Sequence, residues 1–504
     1  MNIGDVDFNG LFPLIALLVS ICGLILFRSL SRSNFDLHRK IGAITTIGIS
    51  GIIAIFEIGR WRKFDRGLIE KKDTVTLNGF VSTDRLSTIS VLILSLVLII
   101  VTLSAVTYLK NRIDIPASEF FILLQLVTLG MFAFVMANDL IAIFIALETF
   151  SLPLYALTAI DARRLRSLEG GFKYFILGAV SSAIFLYGIA IHYGVTGTTA
   201  LVPALDASTL ANVSMIMIIV GLLFKVAAFP FHFWSPDAYQ GAPSPVTAFM
   251  SSATKLAAFV VFVRLVTSGV IDVSLSGTTG RTALTVACIT SAVYGTTVAL
   301  RQFNLKRAIA YSSMSHTGYI LLALKTGGTS ATTSVLTYVI AYAFIVTGTF
   351  LIIGFLSTPN EQNDSVISLK GLARKNPYVA GSLTILLFAQ AGMPLTSGFI
   401  AKFDVFRVAL QSGFYISSLI VLIATVIGAA FYLKLILSIY SNSFGEVAEE
   451  ESQPSRQRLD HVEDVHSQGI ELDSTSALAI GFCVVVTIAI GIFPALLTGF
   501  THAL

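Results

Sequence analysis

Apolar runs of about 18 or more residues, each long enough to cross a hydrocarbon layer of about 30 Å, recur along the whole of this 504-residue chain. Charged residues make up only 12% of it and hydrophobic ones 55%, where soluble domains carry about 25% charged residues. The chain therefore reads as an all-α polytopic membrane protein. Runs bounded by charge, Gly or Pro give about fourteen spans. They lie near 11–28, 41–58, 86–109, 119–136, 139–160, 172–193, 211–235, 244–269, 282–300, 306–324, 333–357, 378–408, 414–440 and 475–498.

Short loops fix the orientation through their Lys and Arg content. Loops after odd-numbered spans carry Arg28, Arg32, Arg39 and Lys40, then Lys110 and Arg112, then Arg163, Arg164 and Arg166. Arg301, Lys306 and Arg307 follow the ninth span, and Lys370, Arg374 and Lys375 the eleventh. Against these stands the basic segment RWRKFDRGLIEKKD at 60–73. The balance places both termini on the outer face. The first span is expected to be retained, because MNIGDVDFNG carries Asp5 and Asp7 and lacks the basic start of a cleavable signal.

The formal charge of +4 resides in these loops and says little about acidic partners or nucleic acid. Cys22, Cys288 and Cys483 lie far apart inside apolar runs, a spacing that suits no iron–sulfur cluster, zinc site or disulfide. Residues 444–473 hold nine acids against two arginines and almost no aromatics, and read as a mobile polar connector.

Two nonapeptides, LLFKVAAFP from Leu222 and LLFAQAGMP from Leu386, match at five of nine positions. Each interrupts an apolar run with a proline, Pro230 or Pro394, in the seventh and twelfth spans. The shared offset lays spans four to eight onto spans nine to thirteen. An odd-numbered unit must re-enter the membrane from the opposite side, so the pattern predicts two inverted five-helix repeats. The expected organisation is then N-terminal helices at 1–118, repeats at 119–270 and 281–440, the connector at 441–474 and a last helix at 475–504.

Charges inside the spans point to function, since each costs about 2.5–3.5 kcal/mol at mid-bilayer. Glu148, Lys225, Lys255 and Lys402 all fall within apolar runs, joined by His232 and His316. Buried lysine suits proton relay, because burial lowers its affinity for the proton and a nearby carboxylate restores it. Glu148 is the natural counter-ion for Lys225 if spans five and seven touch, and Lys225 and His232 would share a face across a continuous helix. A proline frees backbone carbonyls that hydrocarbon tolerates only where protein or water reaches them. Each break thus predicts a hydrated pocket, one beside Lys225 and one beside Lys402. Blander readings apply elsewhere. His192 is a satisfied core histidine, Lys325 and Lys434 snorkel from span ends, Glu57 and Arg60 form an interfacial ion pair, and Asp139 is a helix cap.

With these residues identified, the chain resembles the antiporter-like membrane subunits of respiratory complex I, the proton-pumping NADH:quinone oxidoreductase. ALETFSLPLYAL around Glu148 carries the likeness, as do FKVAAFPFHFWSPDAYQGAPSPVTAFMSSATKLAAF, RAIAYSSMSHTGY and AGMPLTSGFIAKF. It covers roughly residues 119–440. LPLYAL, YSSMSHTGY and the lysine of the twelfth span make it most similar to the subunit N branch of the bacterial enzyme. The resemblance implies a Glu148–Lys225 pair, a central relay at Lys255, and Lys402 passing protons to or from the second half-channel. It also implies that the chain binds no cofactor itself, with NADH, flavin, iron–sulfur clusters and quinone handled by partner subunits of a bacterial plasma-membrane complex that includes other antiporter-like chains. A subunit of a multisubunit cation/proton antiporter and a non-pumping structural subunit remain open as alternatives.

Overall fold

The computed structural model describes residues 7–31, 35–69, 74–110, 112, 114–204, 208–274, 278–357, 365–441 and 473–501. Arg32 and nearly all of the acidic connector lie outside the described residues. The chain is a helical bundle. Its first six helices are α1 (Phe8–Leu30), α2 (Phe35–Asp65), α3 (Arg85–Lys110), α4 (Ala117–Met136), α5 (Leu140–Thr158) and α6 (Leu165–Thr196). They are followed by α7 (Thr209–Lys225), α8 (Trp234–Gly241), α9 (Ser244–Thr267), α10 (Thr278–Arg301), α11 (Leu305–Leu324) and α12 (Gly328–Leu356). Short α13 (Leu372–Lys375) precedes α14 (Pro377–Ala391), α15 (Ser397–Gln411), α16 (Tyr415–Tyr440), α17 (Ser474–Ile492) and α18 (Ala495–Thr501). A small hairpin, Val75–Thr76 with Val81–Ser82, caps the α2–α3 turn.

Among the described residues, 11 helices are long and apolar enough to cross a membrane. Three of the expected spans are built otherwise. The seventh and twelfth are each split into two helices, α7 with α8 and α14 with α15. The tenth is α11, 20 residues long, whose first turn carries Lys306 and Arg307.

Hydrophobic patterning sets which helices lie inside. Apart from Lys255 and Arg264, the α9 sequence is apolar or small all the way round, so no face is left for water, and every residue from Ser244 to Leu265 is buried. It packs against α3, α4 and α12, which are also mostly buried. Small residues bring α10 and α11 together. A Cβ at Gly318 would stand 2.6 Å from the Ala292 nitrogen, and one at Gly295 would stand 2.7 Å from the Ser315 nitrogen. In lipid, such backbone approach replaces the hydrophobic drive for helix association.

Both helix interruptions share one device. At the end of α7, Ala227 adopts φ +54°, its N–H donates to the Phe224 carbonyl, and the Ala228 N–H reaches back to Leu223. At the end of α14, Gly392 adopts φ +87°, with its N–H to Ala389 and the Met393 N–H to Phe388. These are two left-handed Schellman caps. The helices therefore stop before Pro230 and Pro394, and the prolines prevent their resumption rather than cutting them.

The N-terminal helices are pinned to the bundle by a bidentate pair. Arg264 of α9 donates to both carboxylate oxygens of Asp84 at 2.8 and 2.9 Å and to the Val135 carbonyl at 3.1 Å. Burial alone would push the Asp84 carboxyl up, yet the Arg264 guanidinium and the Ser87 amide hold it below its ordinary value. Nearby, Glu57 and Arg60 face each other without closing to ion-pair distance among the described residues. Arg60 turns to Asp7 at 3.6 Å and to the Thr83 carbonyl at 2.8 Å, because Asp7, at the start of α1, lies beside the end of α2. Asp139 caps α5 as expected, accepting from the Ile141 N–H at 2.8 Å.

Asp84→Asn is expected to destabilise the folded chain by about 1.5 kcal/mol, the low end for hydrogen bonds to charged groups, since Asp84 is a third exposed. A carboxyl lowered on folding stabilises above its unfolded value of about 3.9 and loses that contribution as pH falls through its folded value. Thermal unfolding in detergent at pH 7 and under acid checks both the size and the sign.

Candidate functional site

Lys225 is the last residue of α7, held inside the bundle where the cap ends the helix. It is 2% exposed. Its Nζ donates to Ser151 Oγ at 2.6 Å and reaches Tyr155 Oη at 3.5 Å, both on α5. The Phe150, Tyr155 and Tyr174 rings lie 5.2–5.8 Å away. Glu148 is half-buried and accepts from Ser182 Oγ of α6. Spans five and seven do meet, but Glu148 and Lys225 form no direct ion pair among the described residues. Ser151, one turn along α5 from Glu148, stands as the amine's partner instead.

The Schellman caps leave carbonyls of the last helical turns without intrahelical partners, and side chains from other helices take them up. Thr317 Oγ1 donates to the Val226 carbonyl at 2.8 Å, and Trp234 Nε1 adds a second donor, at 2.9 Å, to the Phe224 carbonyl that the cap already uses. At the second break, Lys402 Nζ donates to the carbonyls of Gln390 and Ala391 at 2.8 and 3.0 Å. The lysine lies eight residues past Pro394 because α15 turns back alongside the end of α14. Its ammonium fills the gap that the unwound turn opens.

Lys255 projects from the middle of α9 to α11, where it donates to the Ser313 carbonyl and, at 2.9 Å, to Thr317 Oγ1. Thr317 therefore joins Lys255 to the first break. On the same stretch of α11, His316 Nδ1 lies 2.7 Å from Tyr338 Oη of α12, and Nε2 lies 2.9 Å from Tyr432 Oη of α16. A neutral imidazole serves both contacts, one nitrogen donating and the other accepting. Tyr342 donates to Ser313 Oγ at 2.8 Å and stands 4.8 Å from the His316 ring. The Tyr319 ring lies 5.5 Å from His316 and 5.1 Å from the Lys402 amine.

Lys255 and His316 thus gather on α11, with Lys402 reached through the Tyr319 ring and Lys225 standing one residue before the Val226 carbonyl that Thr317 holds. His232 does not join them. The cap at Ala227 breaks the heptad register, and His232 packs among Phe229, Phe233, Tyr294 and Tyr311 with Nδ1 lacking a partner. His192 is buried, but its Nε2 is likewise unsatisfied. Lys434 is exposed, as a snorkelling residue should be. Lys325 is not: it is 1% exposed and donates to Ser417 Oγ at 2.7 Å.

Beside the second break lies a groove of about 600 Å³ that is largely apolar, lined by Phe399, Phe403, Phe406 and Leu419 with Lys402, Ser418 and Thr425 among them. Lys225 is instead packed among aromatic rings. Sequence reasoning missed the neutral partners: Ser151, Tyr155, Ser313, Thr317, Tyr338 and Tyr432. The run YSSMSHTGY signals two of them, since Ser313 and Thr317 sit one turn apart on one face. Among the described residues, no group of three or more His, Cys, Asp or Glu is placed to hold a metal ion.

Taken together, these features define a class: polytopic helical membrane proteins with ionisable groups at mid-depth beside paired helix interruptions. Residues 137–428 match the family described as NADH:quinone oxidoreductase/Mrp antiporter, transmembrane, and the chain belongs to that family. It is 38% identical over 395 residues to NADH-quinone oxidoreductase subunit N of Mycobacterium bovis, a match covering 76% of this chain and 70% of the relative. Subunit N 1 of Rhizobium meliloti is 39% identical over 330 residues, covering 64% and 68%. A chain of respiratory complex I from Thermus thermophilus superposes with a TM-score of 0.77 at 27% identity, covering 97% of this chain and 98% of that one. A chain of the Mrp complex from Dietzia shares the fold, with a TM-score of 0.82 at 20% identity.

The two caps give opposite expectations. Ala227→Gly removes a left-handed strain and should stabilise the chain by about 1 kcal/mol. Gly392→Ala adds that strain and sets a Cβ 2.8 Å from Lys402 Cδ, so it should destabilise by at least about 1 kcal/mol. Unfolding midpoints of the two variants beside the parent chain measure the difference.

Proposed function

We propose that this chain is a proton-translocating subunit of the membrane arm of a bacterial NADH:quinone oxidoreductase, the counterpart of subunit N in its relatives. Quinone reduction in other subunits drives it, and NADH, flavin and iron–sulfur chemistry belong to those partners. The other antiporter-like chains of the arm are its neighbours. Both termini face outward, and residues 119–270 and 281–440 form two inverted five-helix repeats. Matched Schellman caps at Ala227 and Gly392 support the repeat.

The observation that carries the reading is the chemistry around the buried amines. Lys225, Lys255 and Lys402 are each held by hydroxyl or carbonyl oxygens rather than by carboxylates. Charge-assisted hydrogen bonds contribute about 1.5–3 kcal/mol each, enough for one or two to offset the insertion cost of about 2.5–3.5 kcal/mol. The amines are thus stable in place without being locked in salt bridges, which supports a relay over a structural spacer. In this scheme Glu148 sets the proton affinity of Lys225 through space. A shift of a few ångströms between them changes that affinity, because Coulomb energy in a low dielectric falls steeply with distance. Protons then pass by Thr317 and Lys255 to His316 and its tyrosines, and on to Lys402.

Lys225→Ala and Lys402→Ala in the assembled complex are expected to lower proton pumping and coupled NADH oxidation by ~10-fold or more, the scale of losing a positioned proton-transfer group. Inverted membrane vesicles report both rates. Unchanged proton-to-electron ratios in both variants would sink the relay. Persistent proton/cation exchange without NADH or quinone would favour an antiporter subunit instead.

A further inference from the structure

Lys325 is a buried cation that the relay described above does not use. It caps the C-terminus of α11, where its Nζ donates to Ser417 Oγ of α16 at 2.7 Å and to Thr285 Oγ1 of α10 at 3.3 Å, 4.4 Å from the centre of the Phe414 ring. Arg281 of α10 approaches the same ring at 5.6 Å, and Cys288 is the other titratable group facing the amine from that helix. Among the described residues no carboxylate comes within ion-pair distance of Lys325. A second cation nearby and only hydroxyl partners make it a poor structural anchor.

A polar stripe leads to it. Ser418, Thr425 and Tyr432 follow at seven-residue intervals on α16, which places them on one face about 10 Å apart. Tyr432 Oη contacts His316 Nε2 at 2.9 Å in the centre of the network. Thr425 and Ser418 line the same groove as Lys402. The Ser418 hydroxyl is buried without a hydrogen-bond partner, and its neighbour Ser417 holds Lys325. Crossing the ~10 Å from Ser418 to Thr425, which both line that groove, takes about three waters at ordinary hydrogen-bond spacing.

We infer that Lys325 is the terminal proton-transfer residue of the second half-channel, exchanging protons between the outer face and Lys402 along the Ser418–Thr425–Tyr432 stripe. The inference rests on the relay reading above. In the orientation proposed there, Lys325 lies at the end of α11 opposite the basic Arg301–Lys306–Arg307 turn. Its position therefore matches a port on the outer face.

The test is made in the whole complex in inverted membrane vesicles, with Lys325→Arg, Ser418→Val and Lys402→Ala measured beside the parent. Arginine keeps the charge and the hydroxyl contacts but does not release its proton. Lys325→Arg is expected to assemble normally and to slow NADH-driven proton uptake by ~10-fold, as loss of a proton-transfer group does. Ser418→Val, which removes a hydroxyl that bonds to nothing, is expected to slow it in the same direction. Parent-like pumping in Lys325→Arg and Ser418→Val, with pumping lost in Lys402→Ala, overturns the inference and leaves the relay standing. Parent-like pumping in Lys402→Ala overturns the relay itself. Should Lys325→Arg fail to assemble, Ser418→Val alone decides between these outcomes.

Discussion

Hydrocarbon tolerates neither a bare carbonyl nor a bare ammonium, and most of this structure follows from the two being brought to each other. Ending a helix inside the bilayer frees carbonyls that have no water to meet. Placing a lysine at the same depth creates a donor with the same difficulty. At the second break one solves the other, as Lys402 binds Gln390 and Ala391. At the first, Thr317 takes the Val226 carbonyl and in turn receives Lys255.

This coupling explains why the central helices carry so many hydroxyls. The α11 face that meets α9 and α12 presents Ser313, His316 and Thr317, and α12 answers with Tyr338 and Tyr342. Hydroxyls both donate and accept, so such a network survives reversal of its hydrogen-bond directions. Carboxylates at the same positions would fix the direction and the charge. The Asp84–Arg264 pair shows that contrast within the same molecule. Two charges meet face to face there, at the rim of the bundle, and tie α9 to the N-terminal helices.

The architecture was readable because bilayer thickness imposes a length on every span, and Asp139 announced its role by standing just before an apolar run. Both helix breaks were also visible, though their cause was not. The eye falls on proline, whereas the chain turns at Ala227 and Gly392, and nothing in VAAF marks the first alanine as left-handed. Partners were the hidden part. Thr317 and Val226 are 91 residues apart, and no local rule joins them. Lys325 looked like a snorkelling residue because its position along α11 says "end of span". Only the ends of α10 and α16, folded over it, make it interior. Arg60 likewise had Glu57 three residues away, and chose Asp7 because packing sets the start of α1 beside the end of α2.

Aromatic rings accompany the buried amines throughout: Phe150, Tyr155 and Tyr174 around Lys225, Tyr342 near Lys255, Phe414 by Lys325 and Tyr319 by Lys402. A π face attracts an ammonium through its quadrupole but has no lone pair able to capture the hydrogen ion. The ring face therefore steadies the charged amine without accepting its proton. In the proposed relay a loaded amine is then held by ring faces while the hydroxyl and carbonyl oxygens beside it, Tyr155 Oη among them, do the accepting, so the walls of the route and its stepping stones are different atoms.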